Sequence, residues 1–246
     1  VTTMERDAEG KQVTQEIAER MNMLVRKAKK LALLRIKPNA EKKIAIVFHN
    51  HPSTNSNIGS CSAIDSIESV RLLLQDLRDA GYVVDHIPAD RQEFIDELIA
   101  GATNDRDYMS EKQIDNADAK LLVSAYRDYY KTLPEKVQQR LAKDWGEAPG
   151  EVFFYDDFLL VPGTMNGNIF ITMQPPRGFG EDPDKIYHSP DCAPTHHYLG
   201  FYHWLRDIWG ADAMMHIGTH GSLEWLPGKG VALSLIHISE PTRQEA

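Results

Sequence analysis

The chain has 246 residues, 42% of them apolar and 26% charged, which is typical of a globular protein with room for one large domain or two smaller ones. A formal net charge of −9 argues against a nucleic-acid surface, because neutralising phosphates requires a clustered excess of Lys and Arg. Two cysteines far apart in the chain give no disulfide framework, which favours a reducing compartment. The sequence contains no apolar run of about 18 residues and no signal-peptide pattern. We therefore expect a cytoplasmic protein with no membrane span.

The first half of the sequence alternates between helical and strand patterns. Apolar residues recur at helical spacing near the start, and a short continuous apolar run then indicates a strand buried on both faces. In chain order, the predicted elements are a helix at 14–34, a strand at 44–48, a helix capped by Asp65 or Ser66 that ends at Gly81, a strand at 82–88 and a helix at 91–101. This order is typical of a parallel α/β unit.

The second half returns to strands after a charged, mostly helical stretch at 103–150. The predicted elements are strands at 151–157, 158–163 and 168–180, an aromatic-faced helix at 195–210 and a buried strand at 212–218. We therefore predict the α/β class, with a mostly parallel sheet, flanking helices and two related lobes that meet near residue 150. The alternative is one α+β domain with an antiparallel second half.

The predicted domain boundaries follow these changes of pattern. They are an N-terminal amphipathic helix and linker at 1–40, an α/β lobe at 41–150, a second α/β lobe at 151–234 and a separate tail at 235–246.

The segment HIGTHGSLEWLPGKG, residues 216–230, combines two histidines, a carboxylate, a tryptophan and several glycines. It places His216 at the end of a predicted strand and His220 in the following turn, where open α/β sheets bind ligands. The glycines disfavour a helical zinc pair, and the spacing of Gly221 and Gly228 does not fit a phosphate-binding loop, so we do not expect this chain to hydrolyse ATP. The alternative is that the histidines hydrogen-bond the backbone and hold a turn.

Histidines also follow the first buried strand. His49 and His51 lie directly after residues 44–48, in a loop that contains Asn57. A loop after the first strand and one after the last can face the same crevice, so we predict that these three residues line it. The alternative is that this loop only caps the following helix.

Three blocks of the sequence resemble the large-subunit family of the class I metal chelatases, which includes cobaltochelatase subunit CobN and the magnesium chelatase H subunit. They are KPNAEKKIAIVFHNHPSTNSNIGSCSAIDSIESVRLLLQDLRDAGY, LVPGTMNGNIFITMQPPRGFGED and IYHSPDCAPTHHYLGFYHWLRDIWGADAMMHIGTHGSLEWLPGKGVALS. The likeness ends at Ser234, because LIHISEPTRQEA departs from the family pattern. The first and third blocks are more similar to CobN.

The resemblance implies ATP-dependent insertion of Co²⁺ into a corrin precursor of the hydrogenobyrinic acid a,c-diamide type. The alternatives are insertion of Mg²⁺ into protoporphyrin IX by a magnesium chelatase H subunit, and a non-catalytic tetrapyrrole- or metal-binding module. The resemblance also implies that separate AAA-type ATPase subunits of the CobS and CobT type use the ATP, which this chain does not bind.

For the site, the resemblance and the residue chemistry together favour the loop at 216–230. We predict Glu224, His216 and His220 as metal ligands and proton acceptors, because carboxylate and imidazole can do both. Trp225 would pack against the macrocycle, and His196 and His197 would contact the substrate. For Glu224 the alternative is a structural role, as the cap of a turn or the partner of Lys229.

Overall fold

A computed structural model describes residues 2–6, 11–16, 18–176 and 192–218. The chain divides into two compact units, Val1–Pro38 and Asn39–Ala246. Within the described ranges, every helix is too short or too polar to cross a bilayer.

The first unit contains a hairpin followed by a helix. Strand β1 (Thr2–Arg6) pairs antiparallel with β2 (Gln12–Glu16), and α1 spans Ala18–Ile36. The predicted helix is therefore present from residue 18 onward, while its first predicted residues belong to β2. Leu24 and Val25 on α1 are exposed.

The main sheet of the second unit has β3 (Ile44–Phe48) at its centre. Strands β8 (Ile169–Met173) and β9 (Ala213–Ile217) flank β3 on its two sides and run parallel to it. Strand β7 (Thr164–Asn166) pairs antiparallel with the outer side of β8, which gives the order β7-β8-β3-β9. The mostly parallel sheet that the sequence predicts is confirmed, and its central strand is the apolar run at 44–48.

A smaller antiparallel sheet lies in the same unit. Its order is β4-β6-β5, with β4 at Lys120–Leu122, β5 at Phe154–Tyr155 and β6 at Phe158–Leu160. The predicted lobes 41–150 and 151–234 both contribute strands to each sheet, so they interleave instead of each forming its own sheet. The physical reason is that β3, from the first predicted lobe, lies at the centre of the main sheet and pairs on both edges with strands of the second, β8 and β9.

Helices connect and cover these strands. They are α2 (Ser66–Asp79), α3 (Arg91–Ala100), α4 (Glu111–Asp115), α5 (Val123–Lys131), α6 (Glu135–Trp145) and α7 (His196–His203), which continues into a π-helical turn at Trp204–Ile208. Asp65 caps α2, since its carboxylate accepts the backbone N–H of Glu68. The helices at 66–79 and 91–100 match the predicted positions closely.

The two faces of the main sheet are covered by different helices. Side chains of β3 alternate between the faces: Ile46 packs with residues of α2 and α3, whereas Val47 packs with residues of α7. Both side chains are at most 1% exposed. The sheet is thus buried on both faces, as a continuous apolar strand requires.

The strand predicted at 82–88 is absent, although the segment does run beside β7 and β8. Its backbone bonds the Asn166 side chain, because His86 N–H donates to Asn166 Oδ1 at 2.9 Å and Asn166 Nδ2 donates to the carbonyl of His86 at 2.7 Å. Val83 accepts one further bond, from the backbone N–H of Asn168 at 3.0 Å. An amide side chain therefore takes the place of a ladder of backbone bonds.

Candidate functional site

The carboxyl ends of β3 and β8 form a topological switch point. The chain continues from β3 to α2 on one face of the sheet and from β8 to α7 on the opposite face. Open α/β sheets bind ligands outside the carboxyl ends of the strands at such a point, so this edge of the sheet is the candidate site.

The register of the sheet brings the ends of three strands to the same level. Phe48 pairs with both Met173 and Ile217. Two backbone bonds continue the pairing beyond the strands: His49 N–H donates to the carbonyl of Ile217 at 2.8 Å, and Gln174 N–H donates to that of Phe48 at 2.8 Å. The loop after β3 and the end of β9 are thus adjacent, as the prediction of a shared crevice requires.

A network of buried polar side chains occupies this edge. Asn104 Nδ2 donates to Asn50 Oδ1 at 3.0 Å and to the carbonyl of Gln174 at 2.8 Å. Gln174 Nε2 donates to the Tyr202 hydroxyl at 3.2 Å, and that hydroxyl lies 3.3 Å from His216 Nε2. Asn50, Asn104 and Gln174 are each at most 5% exposed. Gln174 thus holds the Tyr202 hydroxyl next to the His216 ring, and this contact orients the ring.

The loop after β3 is held to the same network. Asn50 Nδ2 donates to the carbonyl of Thr54 at 2.8 Å, and Asp105 Oδ2 accepts the backbone N–H of Asn55 at 2.9 Å. The predicted site residue Asn57 donates from Nδ2 to Thr54 Oγ1 at 2.6 Å and is half-buried. Its side chain therefore helps to shape the loop.

The predicted site residues His49, His51 and His216 are all half-buried at this edge. The same region contains further polar residues that were not predicted: Asn50, Asn104, Asp105, Gln174 and Tyr202. Asn50 has a signal of position, since it comes two residues after the strand predicted at 44–48. Gln174 lies inside the strand predicted at 168–180 and follows β8 only in the structure. Asn104 and Asp105 follow a helix and carry no such signal.

His196 and His197, predicted to contact substrate, lie in the core instead. His196 Nδ1 is 2.7 Å from the Tyr126 hydroxyl, and its Nε2 is 2.9 Å from the carbonyl of Gly146. Both ring nitrogens thus have partners within the chain. Burial lowers the pKa of His196, although the Gly146 carbonyl raises it in part.

His197 is more deeply buried, at 1% exposure. Its ring stacks on Phe153 with centroids 4.4 Å apart, and Nε2 lies 2.8 Å from the carbonyl of Leu160, which assigns the proton to that nitrogen. Burial lowers the pKa of His197 to about 4, against an opposing effect of the Leu160 carbonyl. These contacts favour a packing role for both histidines over a contact with substrate.

The predicted residues His220, Glu224 and Trp225 lie outside the described residues. They follow His216 in the chain, and the described part of the chain extends to Gly218, directly after β9. The metal-ligating and proton-accepting roles of this loop therefore stay predictions.

Comparison with known proteins identifies relatives across nearly the whole chain. The profile of a family described as CobN/Magnesium Chelatase matches residues 1–241. The aerobic cobaltochelatase subunit CobN of Pseudomonas aeruginosa is 40% identical over 216 residues, which are 88% of this chain and 17% of that protein. The chloroplastic magnesium-chelatase subunit ChlH of Oryza sativa is 33% identical over 216 residues, again 88% of this chain and 15% of that protein.

A solved structure is also similar. The catalytic subunit of cobaltochelatase from Mycobacterium tuberculosis superposes with a TM-score of 0.78 at 33% sequence identity, covering 95% of this chain and 20% of that one. The chain thus spans about a fifth or less of the length of each of these proteins.

Proposed function

The chain belongs to the CobN/magnesium chelatase family, and from that premise we propose that it is part of the catalytic subunit of an ATP-dependent cobaltochelatase. The subunit inserts Co²⁺ into a corrin precursor of the hydrogenobyrinic acid a,c-diamide type, a cytoplasmic step of cobalamin biosynthesis. The observation that carries the choice of cobalt is the identity of 40% to a CobN subunit against 33% to a magnesium-chelatase subunit.

The chemistry of insertion defines what the site has to do. A corrin binds the metal as a monoanion, so its one inner N–H proton leaves when the divalent ion enters, whereas a porphyrin would lose two. In either case the ion has to lose its water and each released proton needs an acceptor. Imidazole and carboxylate groups can replace water on Co²⁺ and can also accept protons near neutral pH. The proposal assigns these roles to His216, His220 and Glu224.

The network behind His216 supports this assignment. A ligand or proton acceptor works best when its ring is held in one orientation, and here the Tyr202 hydroxyl lies 3.3 Å from His216 Nε2. Gln174 in turn bonds that hydroxyl, so a buried amide fixes the tyrosine. Tyr202 and Gln174 are positioning residues in this proposal.

Substrate contacts come from the two loops at the crevice. His49, His51 and Asn57 belong to the loop after β3, and Trp225 would stack on the flat macrocycle from the loop after β9. His196 and His197 support α7 from within the core. Their packing role replaces the direct contact with substrate that the sequence suggested.

ATP hydrolysis belongs to partner proteins in this proposal. Separate AAA-type ATPase subunits bind the ATP and couple its hydrolysis to release or closure at the chelation site. Such a division of labour is consistent with the lack of a phosphate-binding loop pattern in this sequence.

The experiment uses a complete subunit that carries this sequence, mixed with its ATPase partner subunits and ATP. One reaction receives Co²⁺ and hydrogenobyrinic acid a,c-diamide, and a second receives Mg²⁺ and protoporphyrin IX, with absorption spectra reporting the metallated product. We expect the cobalt product to form and to require ATP. Formation of the magnesium product alone would establish the alternative substrate pair, and tight tetrapyrrole binding with no insertion in either reaction would establish a binding module.

A further inference from the structure

A second group of potential metal ligands lies away from the crevice. His86, Glu93 and Glu97 each offer one ligand atom, and these three atoms all lie within 4.8 Å of one another. His86 Nε2 and Glu97 Oε1 are in direct contact at 2.8 Å. The side chains of His86 and Glu97 are 53% and 39% exposed, so an ion can reach them from solvent.

Local structure fixes the direction of both carboxylates. Glu93 and Glu97 are four residues apart on α3, so they lie on the same face of the helix. Phe94 and Leu98 are each 1% exposed, and they hold a neighbouring face of α3 against the core. The carboxylate of Glu93 also accepts the backbone N–H of Ala89, which keeps it close to the segment that contains His86.

The backbone of His86 is fixed independently of the carboxylates. The amide side chain of Asn166, at the end of β7, bonds both the N–H and the carbonyl of His86 at 2.9 and 2.7 Å. Asn166 is 9% exposed. The imidazole therefore extends from a backbone position that is hydrogen-bonded twice to a buried side chain, toward the two carboxylates.

The ligand set and spacing suit a transition-metal ion. Ligand nitrogen and oxygen atoms lie ~2.1 Å from Zn²⁺, so two of them on one ion are up to ~4.2 Å apart, which a side-chain shift of under ~1 Å would achieve here. One imidazole and two carboxylates favour Zn²⁺, Co²⁺ or Ni²⁺ over Mg²⁺. Without a cation, two carboxylates four residues apart on a helix repel each other.

We propose that His86, Glu93 and Glu97 bind one divalent transition-metal ion, with water in the remaining coordination position. The ion joins the irregular segment 82–88 to α3, so its binding stabilises the second unit. The site is separate from the candidate chelation site. Asn166 pairs with Ile169 at the start of β8, whereas Gln174 follows the end of β8, which places it ~17 Å from Ile169 at about 3.3 Å per residue.

Calorimetric titration of the EDTA-treated, dialysed chain with ZnCl₂ tests this site. We expect that His86→Ala and Glu97→Gln each lose one bound Zn²⁺ or weaken it at least about tenfold. The control Asp96→Asn changes an exposed acid on the same helix, outside the group, and should keep the wild-type titration. His216→Ala should also keep this Zn²⁺, which separates the site from the proposed chelation site.

A second measurement covers the stabilising effect of the ion. Zn²⁺ should raise the Tm of the wild type and of Asp96→Asn but leave that of His86→Ala unchanged, and circular dichroism in EDTA should show equal helix content in all three. Saturable Zn²⁺ binding of equal stoichiometry and affinity in wild type and His86→Ala would overturn the proposal. So would a wild type that binds no Zn²⁺.

Discussion

Lowering the pH from 7 to 4 should destabilise the second unit through His197, which is buried against Phe153. Burial lowers the pKa of this imidazole to about 4 from its ordinary value of 6.5. Between pH 6.5 and about 4, His197 binds a proton in the unfolded chain but not in the folded chain. Stability is therefore greatest above pH 6.5 and falls as the pH falls toward 4.

The size of the loss follows from the pKa difference. At about 1.4 kcal/mol for each tenfold change in proton affinity, a pKa near 4 in place of 6.5 corresponds to about 3 kcal/mol of unfolding free energy. His196 adds a loss in the same direction, because burial also lowers its pKa. Protonation of Asp207 also lowers stability, but only at a lower pH. Burial raises its pKa, but hydrogen bonds from His203 and Arg206 outweigh that effect and hold the pKa well below the ordinary value of 3.8.

Urea unfolding followed by tryptophan fluorescence at pH 7, 6, 5 and 4 measures this effect. The variant His197→Gln isolates it, because glutamine retains an N–H donor for the carbonyl of Leu160 but does not titrate. Between pH 7 and 4, the free energy of unfolding of the wild type should fall by about 3 kcal/mol more than that of His197→Gln. The control Tyr108→Phe alters a side chain that is 80% exposed and should follow the wild-type profile. Equal losses in wild type and His197→Gln would refute the reasoning.

Two substitutions test the packing around the crevice by the same unfolding assay. Asn104→Ala should lower the free energy of unfolding by about 1–3 kcal/mol, because it removes the donor to two buried acceptors. The control Asn116→Ala, at the exposed end of α4, should change it by less than about 0.5 kcal/mol. Gly163→Ala should lower the free energy of unfolding by more than about 2 kcal/mol, because φ is +137° and a Cβ would lie 2.7 Å from a backbone oxygen in β8. Gly81→Ala, with φ of +84° and open space around it, should cost about 1 kcal/mol; equal costs at the two glycines would contradict the steric argument.

The sheet was predictable because its signal is local. The apolar run at 44–48 matches β3, and the parallel pairing of β3 with β9 follows from the alternation of helices and strands. The segment 82–88 has a similar apolar pattern but forms no strand. The deciding contact is the side chain of Asn166, which is distant in sequence and competes for the backbone of His86.

The crevice was predictable only in part. Position at or just after the end of a buried strand predicted that His49 and His216 lie at one edge of the sheet, since strand ends of one parallel sheet meet there. Asn104 and Gln174 meet there through tertiary contacts that no spacing in the sequence reveals. For His197, the aromatic residues around it in the sequence are compatible with both a ligand-binding face and a core, and burial distinguishes the two.

Metal insertion by a Glu224→Gln variant of the complete subunit tests the proposed chelation site most directly. The substitution keeps the size and hydrogen-bonding capacity of the side chain but removes the charge that would bind Co²⁺ or accept the inner N–H proton of the macrocycle. Glu111→Gln, at an exposed carboxylate of α4, is the matched control. Insertion of Co²⁺ into hydrogenobyrinic acid a,c-diamide should be lost in Glu224→Gln and unchanged in Glu111→Gln, while both variants bind the tetrapyrrole as wild type does. Insertion by Glu224→Gln at the wild-type rate would contradict the assignment.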